Sequence, residues 1–265
     1  MGKTVGYRVR FESRVSEATR IEVVTEGVFL RMLVDDPTLD GVSVVIFDEF
    51  HERSINSDLA LALVIQSQTL LRDDLRLVLM SATIDATSLC NTLHAPLVES
   101  QGRMFPVEVV HADDDTIAMA SSRRNADIPL AVARMVSRAH RESDGDILVF
   151  LPGQGEIERC QQLLGSALLP TSVIPLYGNL PPQQQYKAIA PSRDGERKVV
   201  LATPIAETSL TIEGVRVVVD SGLCRQMMFD ARTGLSHLET VRISMDMATQ
   251  RSGRAGRVAE GICYR

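Results

Sequence analysis

The sequence predicts two α/β domains in tandem, each built around a parallel sheet. Short apolar runs alternate along the chain with stretches of helical periodicity. One of these runs, Val42–Phe47, is apolar at nearly every position, as a parallel strand covered on both faces should be. The periodicity lapses between Pro96 and Pro106 and then restarts. Residues 1–100 therefore read as a first domain, 101–106 as a linker and 107–265 as a second domain.

In chain order, Thr4–Phe11 alternates like a strand, with Val5, Tyr7 and Val9 on one face and Arg8 and Arg10 on the other. Arg20–Thr25 is β-rich. After Val42–Phe47 a helix is expected, capped around Asn56–Ser57 and carrying Leu59, Ala60, Leu63 and Val64 at helical spacing. Leu75–Met80 is the next strand. Past the linker come a strand at Val107–His111, a helix near Pro129–Ala139, a strand at Ile147–Leu151 and a helix from Glu156. Further strands are expected at Val173–Leu176, Lys198–Ala202 and Val215–Asp220. No repeat of solenoid length and no low-complexity tract interrupts the pattern.

At 45% hydrophobic, the chain has ample material for a core, which excludes a disordered or fibrous protein. The longest apolar runs are far too short to cross a bilayer, and no apolar leader follows Met1. A soluble, cytoplasmic protein without membrane partners is expected. The net charge of −6 does not advertise nucleic-acid binding, so any such surface must be local. Cys90, Cys160, Cys224 and Cys263 lie far apart and form no CxxC pair, so reduced, mostly buried thiols are expected.

The strongest chemical signal is Asp48-Glu49-Phe50-His51, at the end of the apolar strand. Parallel α/β sheets bind ligands beyond the carboxyl ends of their strands. Two adjacent carboxylates there can divide the work, one holding Mg²⁺ and the other orienting and activating water. A purely structural acidic pair is the plain alternative. A metal-dependent hydrolase using Asp48, Glu49 and His51 is another. The second signal is Gln250–Arg257, in which Arg251, Arg254 and Arg257 recur every three residues. On a helical segment they would project to neighbouring positions, and the small residues Ser252, Gly253, Ala255 and Gly256 would leave room for close approach. Arginine presents phosphate with a planar, permanently charged fork.

Asp48–His51, Ser81-Ala82-Thr83 and Gln250–Arg257 resemble motifs II, III and VI of the DEAH-box ATP-dependent helicases of superfamily 2, and Ala202–Gly214 is similar to their motif V. The surrounding text, such as VVTEGVFLRML, DLRLVLMSAT and ILVFLPG, is most similar to the bacterial HrpB-type branch. The resemblance covers nearly the whole chain. It implies two tandem RecA-like domains of the P-loop NTPase type with parallel sheets, using ATP and Mg²⁺ to move RNA, or another single-stranded nucleic acid.

It further implies that Asp48, with Glu49, holds Mg²⁺ through water and that Glu49 is the catalytic base. His51 would link the nucleotide to the second domain, while Ser81 and Thr83 relay nucleotide state. Arg254 and Arg257 would reach the γ-phosphate as arginine fingers beside Gln250, with Glu213 of motif V completing the ATP-binding set. Thr25-Glu26-Gly27 resembles motif Ib, Thr203 stands where motif V touches the phosphate backbone, and Arg10-Phe11 resembles a hook-turn that grips single-stranded RNA. Such gripping would be largely blind to sequence.

Pro152–Glu158 imitates a dinucleotide fingerprint but lacks its third glycine, and Glu156 and Glu158 would repel a pyrophosphate, so it is better matched to motif IV. Gly2-Lys3-Thr4 copies only the end of a phosphate-binding loop and is followed by a strand-like VGYRVRF. The first domain is therefore expected to lack its N-terminal strand and phosphate loop, and the chain to end before the family's further domains. A motor core inactive by itself is one expectation, and a non-catalytic nucleic-acid-binding remnant is the alternative. Pro204 stands where motif V usually has Asn, and Ile189 near where many members place a base-stacking Phe.

Overall fold

The computed structural model describes residues 2–81, 86–100, 102, 105–121, 127–165, 167–193, 195–207 and 212–265. The chain divides into two compact units, Met1–Val98 and Glu99–Arg265.

In the first unit, β1 (Val5–Val9) pairs antiparallel with β2 (Glu12–Arg14) and parallel with β3 (Ile21–Val24). Helix α1 (Glu26–Asp35) follows, then β4 (Val44–Phe47), α2 (Ile55–Leu70), β5 (Arg76–Leu79) and α3 (Ala86–Leu93). β4 and β5 form a parallel pair of their own. Arg72 holds the loop that feeds β4, donating to the carbonyls of Thr38, Leu39 and Val42 at 3.0–3.2 Å. Ser54, not Asn56 or Ser57, caps α2: its Oγ accepts the Ser57 N–H at 3.0 Å.

The expected burial of Val42–Phe47 on both faces is not what the structure shows. Val45 and Phe47 face the core beneath α1 and α2, with Leu33, Ala60 and Val64. Val44 and Ile46 are 45% and 59% exposed on the other face, next to the exposed Val78 of β5. Alternation puts successive side chains on opposite faces, and only one face of this pair is covered by its own unit. An all-apolar strand announces two buried faces without saying what buries the second.

The second unit contains β6 (Val107–Val110), α4 (Asp114–Ser121), α5 (Ile128–Glu142), β7 (Asp146–Phe150), α6 (Gln154–Leu164), β8 (Ser172–Leu176), α7 (Pro182–Ile189), β9 (Lys198–Ala202) and β10 (Val215–Asp220). β11 (Leu223–Asp230) and β12 (Leu235–Arg242) form an antiparallel hairpin, and α8 (Met245–Gly253) and β13 (Gly261–Tyr264) complete it. Six strands make one parallel sheet in the order β6-β13-β10-β7-β9-β8. Ile147 and Val149 point to a core that includes Val136 of α5 and Ile157 and Leu164 of α6. Leu148 and Phe150 point to the opposite core, with Val200, Val218 and Ala255. Every residue of β7 and β9 is buried. Each large apolar side chain so buried contributes roughly 1.5–3 kcal/mol, which makes this sheet the stable platform of the chain.

Candidate functional site

The first candidate site stands at the carboxyl end of β4. Met80 N–H donates to the Phe47 carbonyl at 2.8 Å and Phe50 N–H to the Met80 carbonyl at 3.0 Å, so the chain leaves β4 and β5 side by side. Ser81 follows directly and is exposed, whereas Thr83 lies outside the described residues. Between strand and helix the backbone makes two left-handed steps, at Glu49 (φ 50, ψ 37) and Arg53 (φ 50, ψ 57), around a short 3-10 turn at Phe50–Glu52. Non-glycine residues take such values at a cost of about 1 kcal/mol or more and cluster at functional sites. Phe50 anchors the turn. It is 2% exposed and meets the Phe47 ring edge-on at 6.2 Å.

With Phe50 turned inward, the flanking carboxylates turn outward. Asp48 is exposed, and its Oδ1 accepts the Glu49 N–H at 2.9 Å. Glu49 is partly exposed, and its Oε2 lies 3.4 Å from Nε2 of the nearly buried His51. Glu49 and His51 are thus brought together, while Asp48 meets only the Glu49 backbone in the contacts seen. Among the described residues, no three His, Cys, Asp or Glu side chains converge into a metal cage. The hard oxygens of Asp48 and Glu49 still suit Mg²⁺, which is commonly held by one or two carboxylates together with phosphates and water.

The second candidate site lies in the second unit. Ser244 Oγ accepts the Met247 N–H and caps α8, which runs only to Gly253 before a 3-10 turn takes over at Arg254–Gly256. The three arginines therefore do not share one helical face, contrary to the expectation from their spacing. Arg251 turns wholly inward, Arg254 is 6% exposed with its Nη2 donating to the Glu207 carbonyl, and Arg257 is exposed. Gln250 is half-buried beside them. Gly256 has a packing reason: a Cβ there would stand 2.5 Å from the Phe105 carbonyl oxygen, and Phe105 N–H donates to the Gly256 carbonyl at 2.9 Å.

Motif V leaves β9 through Thr203, which is half-buried with its N–H on the Leu176 carbonyl at 3.2 Å. Pro204 opens the 3-10 turn Pro204–Ala206, a first-turn position where proline's fixed φ is well placed. Glu207 is buried, residues 208–211 lie outside the described residues, and Glu213 is exposed just before β10. In motif IV, Gly153 lets the Arg225 guanidinium approach: a Cβ would stand 2.7 Å from its Cζ, while Nη2 reaches Glu156 at 3.1 Å. Burial pushes the thiols of Cys160 and Cys263 up to about 12, so neither serves as a nucleophile near neutrality.

Apart from Thr203, which belongs to the second unit, the expected nucleic-acid residues sit on the surface of the first unit. Arg10 and Phe11 form the β1–β2 turn, the guanidinium 5.0 Å from the ring centre and the ring 89% exposed. Thr25 stands at the N-cap of α1 without a side-chain capping bond. Glu26 accepts the Ser54 hydroxyl at 2.5 Å and so ties α1 to the cap of α2, while nothing crowds Gly27.

Residues 129–259 match the model of the helicase conserved C-terminal domain. The chain is 51% identical over 263 residues to the ATP-dependent RNA helicase HrpB of Escherichia coli (strain K12), covering 98% of this chain and 32% of that protein. The chain belongs to the DEAH-box helicase family. Another relative, the Schizosaccharomyces pombe pre-mRNA-splicing factor ATP-dependent RNA helicase prp22, is 39% identical over 98% of this chain and 22% of its own length. A crystal structure of the E. coli DEAH/RHA helicase HrpB superposes with a TM-score of 0.90 at 50% identity, covering 99% of this chain and 33% of that one. A second, of the E. coli DExH-box NTPase HrpB, gives 0.86. The six-stranded parallel sheet is the RecA-like α/β fold of these helicases. The chain spans about a third of the length of HrpB.

Neither Arg251 by itself nor the β11–β12 hairpin has a role that can be read from the sequence. Arg251 reads as one of three equivalent cations until the end of the helix at Gly253 is known. The available signal was Asp220, an acid closing the otherwise apolar run Val217–Val219.

Proposed function

We propose that this chain forms motor machinery of an ATP-dependent RNA helicase working in the cytoplasm. The observation that carries this proposal is the left-handed Glu49, set beyond a parallel strand so that its carboxylate and that of Asp48 face outward while His51 stands behind. Glu49 takes the proton of an attacking water, and His51 orients it. Asp48 and Glu49 would hold Mg²⁺ through water, and the bound ion would supply neutralisation of phosphate charge. Arg254 and Arg257 stabilise charge on the transferring phosphoryl group, with Gln250 and Glu213 completing the nucleotide contacts. Ser81 and Thr83 pass nucleotide state onward.

Single-stranded RNA is the proposed cargo, gripped by Arg10, Phe11, Thr25, Gly27 and Thr203. Phe11 offers a stacking face. The first turn of α1 offers backbone N–H groups near a hydroxyl not used as a cap. The role of Glu26 in this surface is to hold Ser54. The absence of any convergent three-ligand cage among the described residues gives no support to the metal-hydrolase alternative.

In the full-length protein, Glu49→Gln should lower RNA-stimulated ATP turnover by about 10²–10⁴-fold while ATP still binds. Unchanged turnover would overturn the proposal. The 265 residues contain no complete GxxxxGK[ST] segment, so by themselves they are expected to hydrolyse ATP negligibly. Helicase-like rates from this chain alone, abolished by Glu49→Gln, would contradict that expectation.

A further inference from the structure

Arg251 is a cation with no access to solvent, and charged groups are almost never buried so fully unless paired. Its Nε donates to Glu207 Oε2 at 3.1 Å and its Nη1 to Asp220 Oδ1 at 2.8 Å and to the Leu223 carbonyl at 3.1 Å. Arg265 adds a second cation, its Nε 3.7 Å from Asp220 Oδ2. One guanidinium thus touches the turn after β9, the end of β10 and the start of β11 from its own place near the end of α8.

Glu207 is held twice. Arg251 takes its side chain and Arg254 its carbonyl, so the motif V turn and the turn carrying Arg254 are joined through one residue. A buried ion pair is a poor way to gain stability, because apolar groups of similar volume often do as well or better. What the fork supplies is fixed geometry, two carboxylates and a carbonyl at set angles, which a lysine cannot reproduce.

We propose that Arg251 is a positioning residue for phosphoryl transfer: through Glu207 it fixes the direction in which Arg254 is presented. This rests on the reading of Arg254 as a phosphate-facing arginine.

The test is a double-mutant cycle in the full-length protein, following ATP turnover with RNA, the KM for ATP and the thermal melt. Arg251→Lys keeps the charge and loses the fork; Glu207→Gln keeps the carbonyl that Arg254 uses. Each should lower kcat by about 10–10²-fold, as small misplacements do, with KM moving about threefold at most. In an Arg254→Ala background neither should cost anything further, because the group being positioned is gone. Undiminished losses in that background would overturn the proposal, as would a folded Arg251→Lys protein with unchanged kcat. If Arg251→Lys does not fold, Glu207→Gln decides by the same readouts. If neither folds, the cluster is a core element and the proposal fails. Unchanged turnover in Arg254→Ala alone would instead sink the phosphate-facing reading on which it rests.

Discussion

The guanidinium of Arg251 lies 4.8 Å from the centre of the Phe150 ring, both fully buried at the carboxyl end of the six-stranded sheet. The ring supplies a cation–π face, while Glu207 and Asp220 satisfy the charge. Arg251→Ala would leave two buried carboxylates facing a void. Removing one partner of a buried ion pair typically costs about 3–5 kcal/mol. Urea unfolding of the chain, followed by the second-unit signal, should show a loss of that size. A loss below about 1 kcal/mol would mean that water reaches the carboxylates and that the cluster is open.

A second prediction concerns Glu49. Asparagine adopts the left-handed region more readily than glutamate. Glu49→Asn should therefore raise the stability of the first unit by about 0.5–1 kcal/mol while turnover in the full-length protein collapses. Stability and activity moving together, in either direction, would argue against strain held for function.

Gly256→Ala should destabilise the second unit by about 1–3 kcal/mol, the usual range for overpacking. The new Cβ would stand 2.5 Å from a backbone oxygen, which cannot swing aside as a side chain could. Gly155→Ala, where nothing lies within 4 Å, is the matched control. Equal melting temperatures for the two variants would refute the packing account.

Asp127 caps α5, its Oδ1 accepting the Leu130 N–H at 3.1 Å. Its carboxyl is held below the usual carboxylate range, first by the hydrogen bond from Arg159 and then by the Leu130 N–H. Because the folded pKa is depressed, the stabilisation is present above the unfolded value near 3.9 and is lost as pH falls through the folded one. Arg159 is largely exposed, so the cap carries most of the effect. Asp127→Ala should cost about 1 kcal/mol at neutral pH. That difference from the parent should shrink towards zero in acid, and a pH-independent difference would contradict it.

Strands buried on both faces were legible almost to the residue. Lys198–Ala202 and Val215–Asp220 announce themselves because every neighbour that covers them belongs to the same unit. Val42–Phe47 carries the same signal, yet Val44 and Ile46 stay exposed. The β11–β12 hairpin was missed because Met227, Phe229 and Leu238 lie on an exposed face and no two-residue turn marks its tip. In the sites, the nearness of Glu49 and His51 was legible because only Phe50 separates them in sequence. Arg251 was not, because its carboxylate partners stand 31 and 44 residues away.

The bare side of β4–β5 has a practical consequence for handling the molecule. Val44, Ile46 and Val78 present an aliphatic surface on a pair of strands whose outer edges are unpaired among the described residues, and edges of that kind recruit further strands. Residues 1–98, produced alone, should self-associate as concentration rises, with light scattering growing and proton resonances broadening before any unfolding is seen. A charged substitution at Ile46, which points away from the unit's own core, should restore monodispersity without lowering the melting temperature.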